Sequence, residues 1–305
     1  MPELRPELRH APRLALAAAC GAGFLWGTGA LVVNVLIAHH GFTPENISFW
    51  RFTVGAVVLL AVYGRPKVWP AVREQGWLVL GAGSCMALYV LAWFMGIARI
   101  GAAIPTLIAL CLPPVLVTLL AVLRGQERLD LPLAVVLCAA LGGTALIVLQ
   151  HGGTAAPVAP DVMLAGVAFS LASAVLYAGF TLVSGRLSQS MGAGPATTCL
   201  TVTAAAVMGL SALYQPLTWP AEVAPEAWLL YLGVVTAALA LLAFSWGAAR
   251  LSPTALTVAT LVEPLTAVLL SALVLGQALS GAQWAGAALL LAAIWGLSQR
   301  TGVHP

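Results

Sequence analysis

Long apolar runs alternate along the chain with short breaks of glycine, proline or charge. A helix crossing about 30 Å of hydrocarbon needs about 20 apolar residues. The runs predict ten such helices, near residues 14–37, 45–63, 77–97, 102–123, 132–149, 161–184, 195–214, 226–248, 253–275 and 281–298. The break around Arg99 is the narrowest of them. The first apolar run follows a basic tail, residues 1–13. It outlasts the ~7–15 residues of a signal-peptide core, so it is expected to remain as a membrane helix.

Charge sharpens this picture. Only 8% of the 305 residues are charged and 61% are hydrophobic, whereas soluble domains carry about 25% charged residues. The net charge of +3 is small and dispersed, which argues against a nucleic-acid partner and leaves the lipid bilayer as the surrounding medium. Basic residues gather on the cytoplasmic side of membrane proteins. With a cytoplasmic N-terminus, Arg5, Arg9, Arg13, Arg65, Lys67, Arg73, Arg124, Arg128, Arg186, Arg250 and Arg300 all fall on that side. Arg99 alone falls outside, and Arg51 lies within the second span. Ten spans with both termini in the cytoplasm are therefore expected.

The chain also repeats itself. GWLVLGAGSCMALYVLAWFMGIAR (76–99) aligns without gaps to AWLLYLGVVTAALALLAFSWGAAR (227–250). Trp77 pairs with Trp228, Gly96 with Gly247, Arg99 with Arg250, Pro113 with Pro264, and Gly125–Gln126 with Gly276–Gln277, each pair 151 residues apart (250 − 99 = 151). Five spans per half is an odd number, so the second half must enter the membrane upside down. Arg99 and Arg250 then lie on opposite faces. The expected organisation is a first five-helix repeat at 14–149, an outward linker at 150–160, a second, inverted repeat at 161–298, and a cytoplasmic tail at 299–305. Inverted repeats are a construction of secondary transporters, with the substrate near the midplane.

Several chemistries are excluded. The five cysteines (Cys20, Cys85, Cys111, Cys138, Cys199) stand singly inside apolar stretches, which suits core packing and neither disulfides nor a metal cluster. The histidines lie in tails or between apolar runs. The single lysine, Lys67, belongs to no phosphate-binding loop, so ATP hydrolysis is not expected. No cofactor or metal is implied. A membrane enzyme would need clustered acids, His or Ser, and the acids here are scattered. A channel or scaffold accounts poorly for two inverted halves.

The stretches FLWGTGALV (24–32), ISFWRFTVGAVVLL (47–60), GIARIGAA…P…GQE (96–127) and GAARLSPTALTVATLVEPLTAVLLSALVLGQ (247–277) resemble the drug/metabolite transporter superfamily, in particular its ten-helix EamA-type exporters. The likeness covers essentially the whole chain, and within the family it is greatest to the YddG-type aromatic amino-acid exporters. The resemblance implies an exporter of amino acids or related metabolites in the bacterial inner membrane. One departure is plain. The Gly–Glu usual after the fourth and ninth helices is Gly–Gln in both halves, with Glu127 one position later in the first half only.

Within the spans, Glu263 stands out. A charge at a helix centre costs about 2.5–3.5 kcal/mol on insertion scales, so such a residue faces the bundle interior. A carboxylate there is costly to ionise, which makes proton coupling one expectation. The alternative is a protonated Glu263 bonded to carbonyls that Pro264 frees. Pro113 and Pro264 are matched mid-helix prolines, either hinges or static kinks. Arg51 stands at the outer mouth, either snorkelling to the interface or meeting a substrate carboxylate or Glu45. Trp26 and Tyr177 are repeat partners, as are Trp93 and Phe244. With Thr28, Tyr89 and Trp246 they are candidates to line a cavity for a substrate with an apolar or aromatic part and a zwitterionic end. Trp69, Trp77, Trp219 and Trp228 suit an interfacial belt. Gly23 and Gly27 have small-xxx-small spacing for close helix contact, with Asn34 nearby. Two complete halves need no partner chain, so a monomer is expected. Export of lipophilic cations is the nearest rival.

Overall fold

The computed structural model describes residues 6–64, 68–100, 103–149, 159–275 and 279–301, and is all-helical there. Most of the linker at 150–160, together with Arg5, Arg65, Lys67 and the Gly276–Gln277 pair, lies outside the described residues, as do the side chains of Arg9, Asn34 and Trp69. The helices are α1 (Pro6–His40), α2 (Pro44–Tyr63), α3 (Val68–Ile100), α4 (Ala103–Leu123), α5 (Leu131–Leu149) and α6 (Pro160–Met191). Next come α7 (Ala193–Gly209), α8 (Val223–Tyr231), α9 (Ala240–Ala248), α10 (Pro253–Thr260), α11 (Val262–Leu275) and α12 (Gly281–Thr301). Among the described residues, ten segments are long and apolar enough to cross a membrane.

Several spans differ from the sequence expectation, among them the third, which begins at Val68 rather than residue 77 and is kinked at Gln75. The sixth runs on to Met191 and ends at Gly192, whose φ of 88° closes the helix. Gly185, just past the expected boundary at Ser184, lies inside the helix. That glycine is a packing site: a Cβ there would stand 3.0 Å from the Ala248 carbonyl oxygen. The eighth span is α8 and α9 joined by a π-helical stretch, Leu232–Leu239. The ninth is interrupted, α10 giving way to α11 at Leu261.

Helix starts follow local chemistry. Thr43 caps α2 by accepting from the Asn46 N–H, with Pro44 at the first position. Ser252 caps α10 by accepting from the Ala255 N–H, with Pro253 next. Each hydroxyl satisfies a donor that has no intrahelical partner.

Small residues set the packing, and the contacts recur at the repeat spacing. A Cβ on Gly96 would meet Ser170 Oγ, the Pro105 side chain and the Gly166 carbonyl. One on Gly247 would meet the Ala19 side chain, Leu256 and the Ala15 carbonyl. Every partner in the second set is displaced by 151 residues from one in the first (170 − 19, 166 − 15 and 256 − 105). Arg99 and Arg250 also match: each donates to the carbonyl four residues back, of Met95 and Trp246, and lies over a ring, of Phe169 and Trp246. The fifth and last spans cross at Gly143 and Gly286. Val136 meets Gly296 farther along, so α5 and α12 run antiparallel.

Candidate functional site

The centre of the bundle is built around the break in the ninth span. Pro264 has no N–H, so the Thr260 carbonyl loses its α-helical donor. The chain tightens for one turn, Leu261 N–H bonding Val258 O at 3.1 Å, and the helix resumes at Val262. Two glycines of α1 press on this turn. A Cβ on Gly23 would stand 2.7 Å from Thr260 O, and one on Gly27 2.5 Å from Glu263 O and 2.6 Å from Thr266 Cβ. The small residues let the backbones meet, as the small-xxx-small spacing predicts.

Glu263, in the first turn of α11, interacts electrostatically with Arg51 of α2, and both act on Tyr89 of α3. Tyr177 of α6 senses Tyr89 and Glu263 in turn. Arg51 and Glu263 are half-buried and do not form an ion pair within 4.0 Å. The Arg51 Nε is buried without a hydrogen-bond partner, and its guanidinium carbon lies 5.6 Å from the Phe52 ring centre. An enclosed guanidinium with an unused N–H is ready to meet a planar anion. Arg51 thus lies within electrostatic reach of Glu263, a neighbour that the sequence did not connect with it.

Aromatic rings form one wall. Tyr89 and Tyr177 meet edge-to-face at 5.0 Å, Phe180 stacks on Phe244 at 5.4 Å, and Phe244 contacts Trp26 at 5.5 Å. Such pairs contribute about 0.5–1.5 kcal/mol beyond burial. Polar bonds fix their poses. Tyr177 OH and Thr260 Oγ1 are 3.2 Å apart, Trp26 Nε1 donates to Thr236 O at 3.0 Å within the π-helical stretch, and Ser173 Oγ donates to Tyr89 O at 2.8 Å.

The remaining sequence candidates stand apart from this cluster. Thr28 Oγ1 donates to Leu25 O at 2.7 Å and bonds Tyr231 OH at 2.6 Å, so its hydroxyl is occupied. Trp93 stacks on Phe94 and donates to Thr106 Oγ1 at 3.2 Å, tying α3 to α4. Trp246 lies 4.1 Å beneath the Arg250 guanidinium, one turn from its helix end. Pro113 sits inside α4, which continues through it as a single helix. Phe180, Thr260 and Tyr231 escaped sequence reasoning, because one more Phe, Thr or Tyr in an apolar span carries no signal of its own.

A bundle with ten segments long and apolar enough to cross a membrane, and an aromatic wall beside Arg51 and Glu263, defines a multi-pass membrane protein. The EamA-like transporter family model matches it twice, over residues 13–149 and 164–299. A Bacillus subtilis protein named as the uncharacterised transporter YwfM is 30% identical over 284 residues, spanning 88% of each chain. A crystal structure of a protein with 24% identity superposes with a TM-score of 0.75, over 94% of this chain and 98% of that one, and shares the fold. The chain belongs to the EamA-like transporter family of the drug/metabolite transporter superfamily.

Proposed function

We propose that the protein carries amino acids, aromatic and bulky neutral ones foremost, out of the cell across the bacterial inner membrane. One observation carries this reading: two groups of opposite charge type, Arg51 and Glu263, interact electrostatically without an ion pair between them, and both act on Tyr89 of the aromatic wall. An α-amino acid presents a carboxylate to the first and an ammonium to the second, and its side chain to the rings. The guanidinium suits a bidentate carboxylate, and the rings suit an ammonium and a flat side chain. A lipophilic cation fits Glu263 and the rings but meets the like charge of Arg51, so that alternative is disfavoured.

The carrier works by alternating access, as a monomer of two inverted five-helix repeats with both termini in the cytoplasm. Support comes from the exchange of contacts at a constant offset and from the antiparallel crossing of α5 and α12. In such folds the substrate lies between the halves. Here Trp26, Arg51 and Tyr89 come from one half, and Tyr177, Phe244 and Glu263 from the other.

Purified protein in liposomes, preloaded with unlabelled phenylalanine, is expected to accumulate labelled phenylalanine. Tryptophan and leucine should compete, and tetraphenylphosphonium should not. Competition by the cation alone would replace amino acids with lipophilic cations. An imposed pH gradient in the same vesicles reads proton coupling: acceleration in wild type that is lost in Glu263→Gln supports it, and indifference to the gradient identifies a facilitator.

A further inference from the structure

Away from Arg51 and Glu263, a second acidic group joins the two halves. α4 ends at Leu123, and Gly125, with a φ of 67°, lets the chain reverse, Gly125 N–H bonding Val122 O and Gln126 N–H bonding Ala121 O. Only a residue that tolerates a left-handed conformation closes a helix in this way. The reversal aims Glu127 at the start of α10. There the Thr254 hydroxyl donates to Glu127 Oε2 at 2.7 Å and lies 2.9 Å from Thr118 Oγ1, which donates to Pro114 O on α4. Thr118 and Thr254 are almost wholly buried. The Glu127–Thr254 bond therefore runs from the turn after α4, in the first half, to α10 in the second. It stands at the arginine-rich end of the bundle, three residues before Asp130, which pairs with Arg300.

We propose that Glu127 is the gate residue that holds the arginine-rich end shut by gripping Thr254. The inference rests on the alternating-access part of the proposed function and not on the identity of the substrate. Two features suit a contact that must break in every cycle. Glu127 itself reaches the second half through one charge-assisted hydrogen bond, which is strong but single. The other carboxylate oxygen, Glu127 Oε1, is buried with no partner. Opening returns that oxygen to water, which lowers the cost of breaking the bond without cancelling it. Thr257, one turn along α10, is buried and bonds the Thr254 carbonyl.

The test is the reactivity of Thr257→Cys, in a chain whose five native cysteines are replaced, towards a membrane-impermeant maleimide. Vesicles of both orientations are used, with no substrate present. Glu127→Ala should raise labelling by roughly tenfold or more, the ratio a charge-assisted hydrogen bond is worth, and only from the arginine-rich face. Thr254→Val should do the same, Thr254→Ser should label as slowly as the parent, and the double variant should label no faster than either single one. Unchanged labelling in Glu127→Ala, additive effects in the double variant, or an equal rise from both faces would each overturn the gate. If Glu127→Ala does not fold, the near-isosteric Thr254→Val decides by the same criteria. Failure of amino-acid counterflow in wild type would remove the substrate assignment and leave this readout intact.

Discussion

Pro113 and Pro264 are matched in sequence, yet the spans that carry them differ. α4 runs through Pro113 and Pro114 as one helix. Its counterpart is cut at Leu261 into α10 and α11. The proline alone does not decide the outcome, since each removes one intrahelical donor. The surroundings differ instead. Beside Pro264 stands Glu263, where the first half has Leu112, and two glycines of α1 bring backbone directly onto the broken turn. One half keeps a continuous apolar rod, while the other opens a turn at which a charge, the Thr260 hydroxyl and Tyr177 converge. Symmetry supplies the frame, and the departure from it supplies the chemistry.

The largest expected effect separates the two positions next to the prolines. Glu263→Gln should slow amino-acid counterflow by about tenfold to a hundredfold, the worth of a charge-assisted bond. Leu112→Met should leave counterflow unchanged; equal damage at both sites would erase the asymmetry. Next come two glycines of α1. Gly27→Ala forces a Cβ against Glu263 O and Thr266, and should destabilise the protein by about 1–3 kcal/mol as overpacking does. Gly21, with nothing within 4 Å, should accept alanine with an unchanged or raised melting temperature. A smaller effect is expected from Pro264→Ala, which offers the Thr260 carbonyl a donor again. Hydrogen exchange at residues 260–264 should slow, with no matching change around Pro113→Ala. The smallest concerns the exposed Arg300–Asp130 pair, 2.9 Å apart. The hydrogen bond from Arg300 holds the Asp130 carboxyl below its ordinary value of 3.8, so its contribution is present above that pH and fades as the pH falls through it. Arg300→Ala should melt slightly below wild type at neutral pH, and the difference should vanish in acid.

Much of the architecture was legible because it rests on hydropathy and length, which ten apolar runs state directly. The sixth span passes its expected end at Ser184, and Gly185 just beyond it is a contact with Ala248 that only the fold reveals. Half of the site was legible too. Glu263 declared itself by its cost in a membrane, and Trp26, Tyr89 and Tyr177 do lie in one cluster. Trp93 and Trp246 share their composition but point to other neighbours, Thr106 and Arg250, which only the fold reveals. Arg51 was assigned to the outer mouth by counting residues along α2. Its link to Glu263 joins residues more than two hundred positions apart, and no local pattern encodes such a pair.

Equilibrium binding of three ligands tests the central claim most directly: phenylalanine, phenylalanine amide, which lacks the carboxylate, and 3-phenylpropionate, which lacks the ammonium. If Arg51 and Glu263 grip the two ends of a zwitterion, each analogue binds wild type at least about tenfold more weakly than phenylalanine. Arg51→Gln should then abolish the preference over the amide alone, and Glu263→Gln the preference over phenylpropionate alone. Wild-type protein that binds the amide as tightly as phenylalanine would contradict the account.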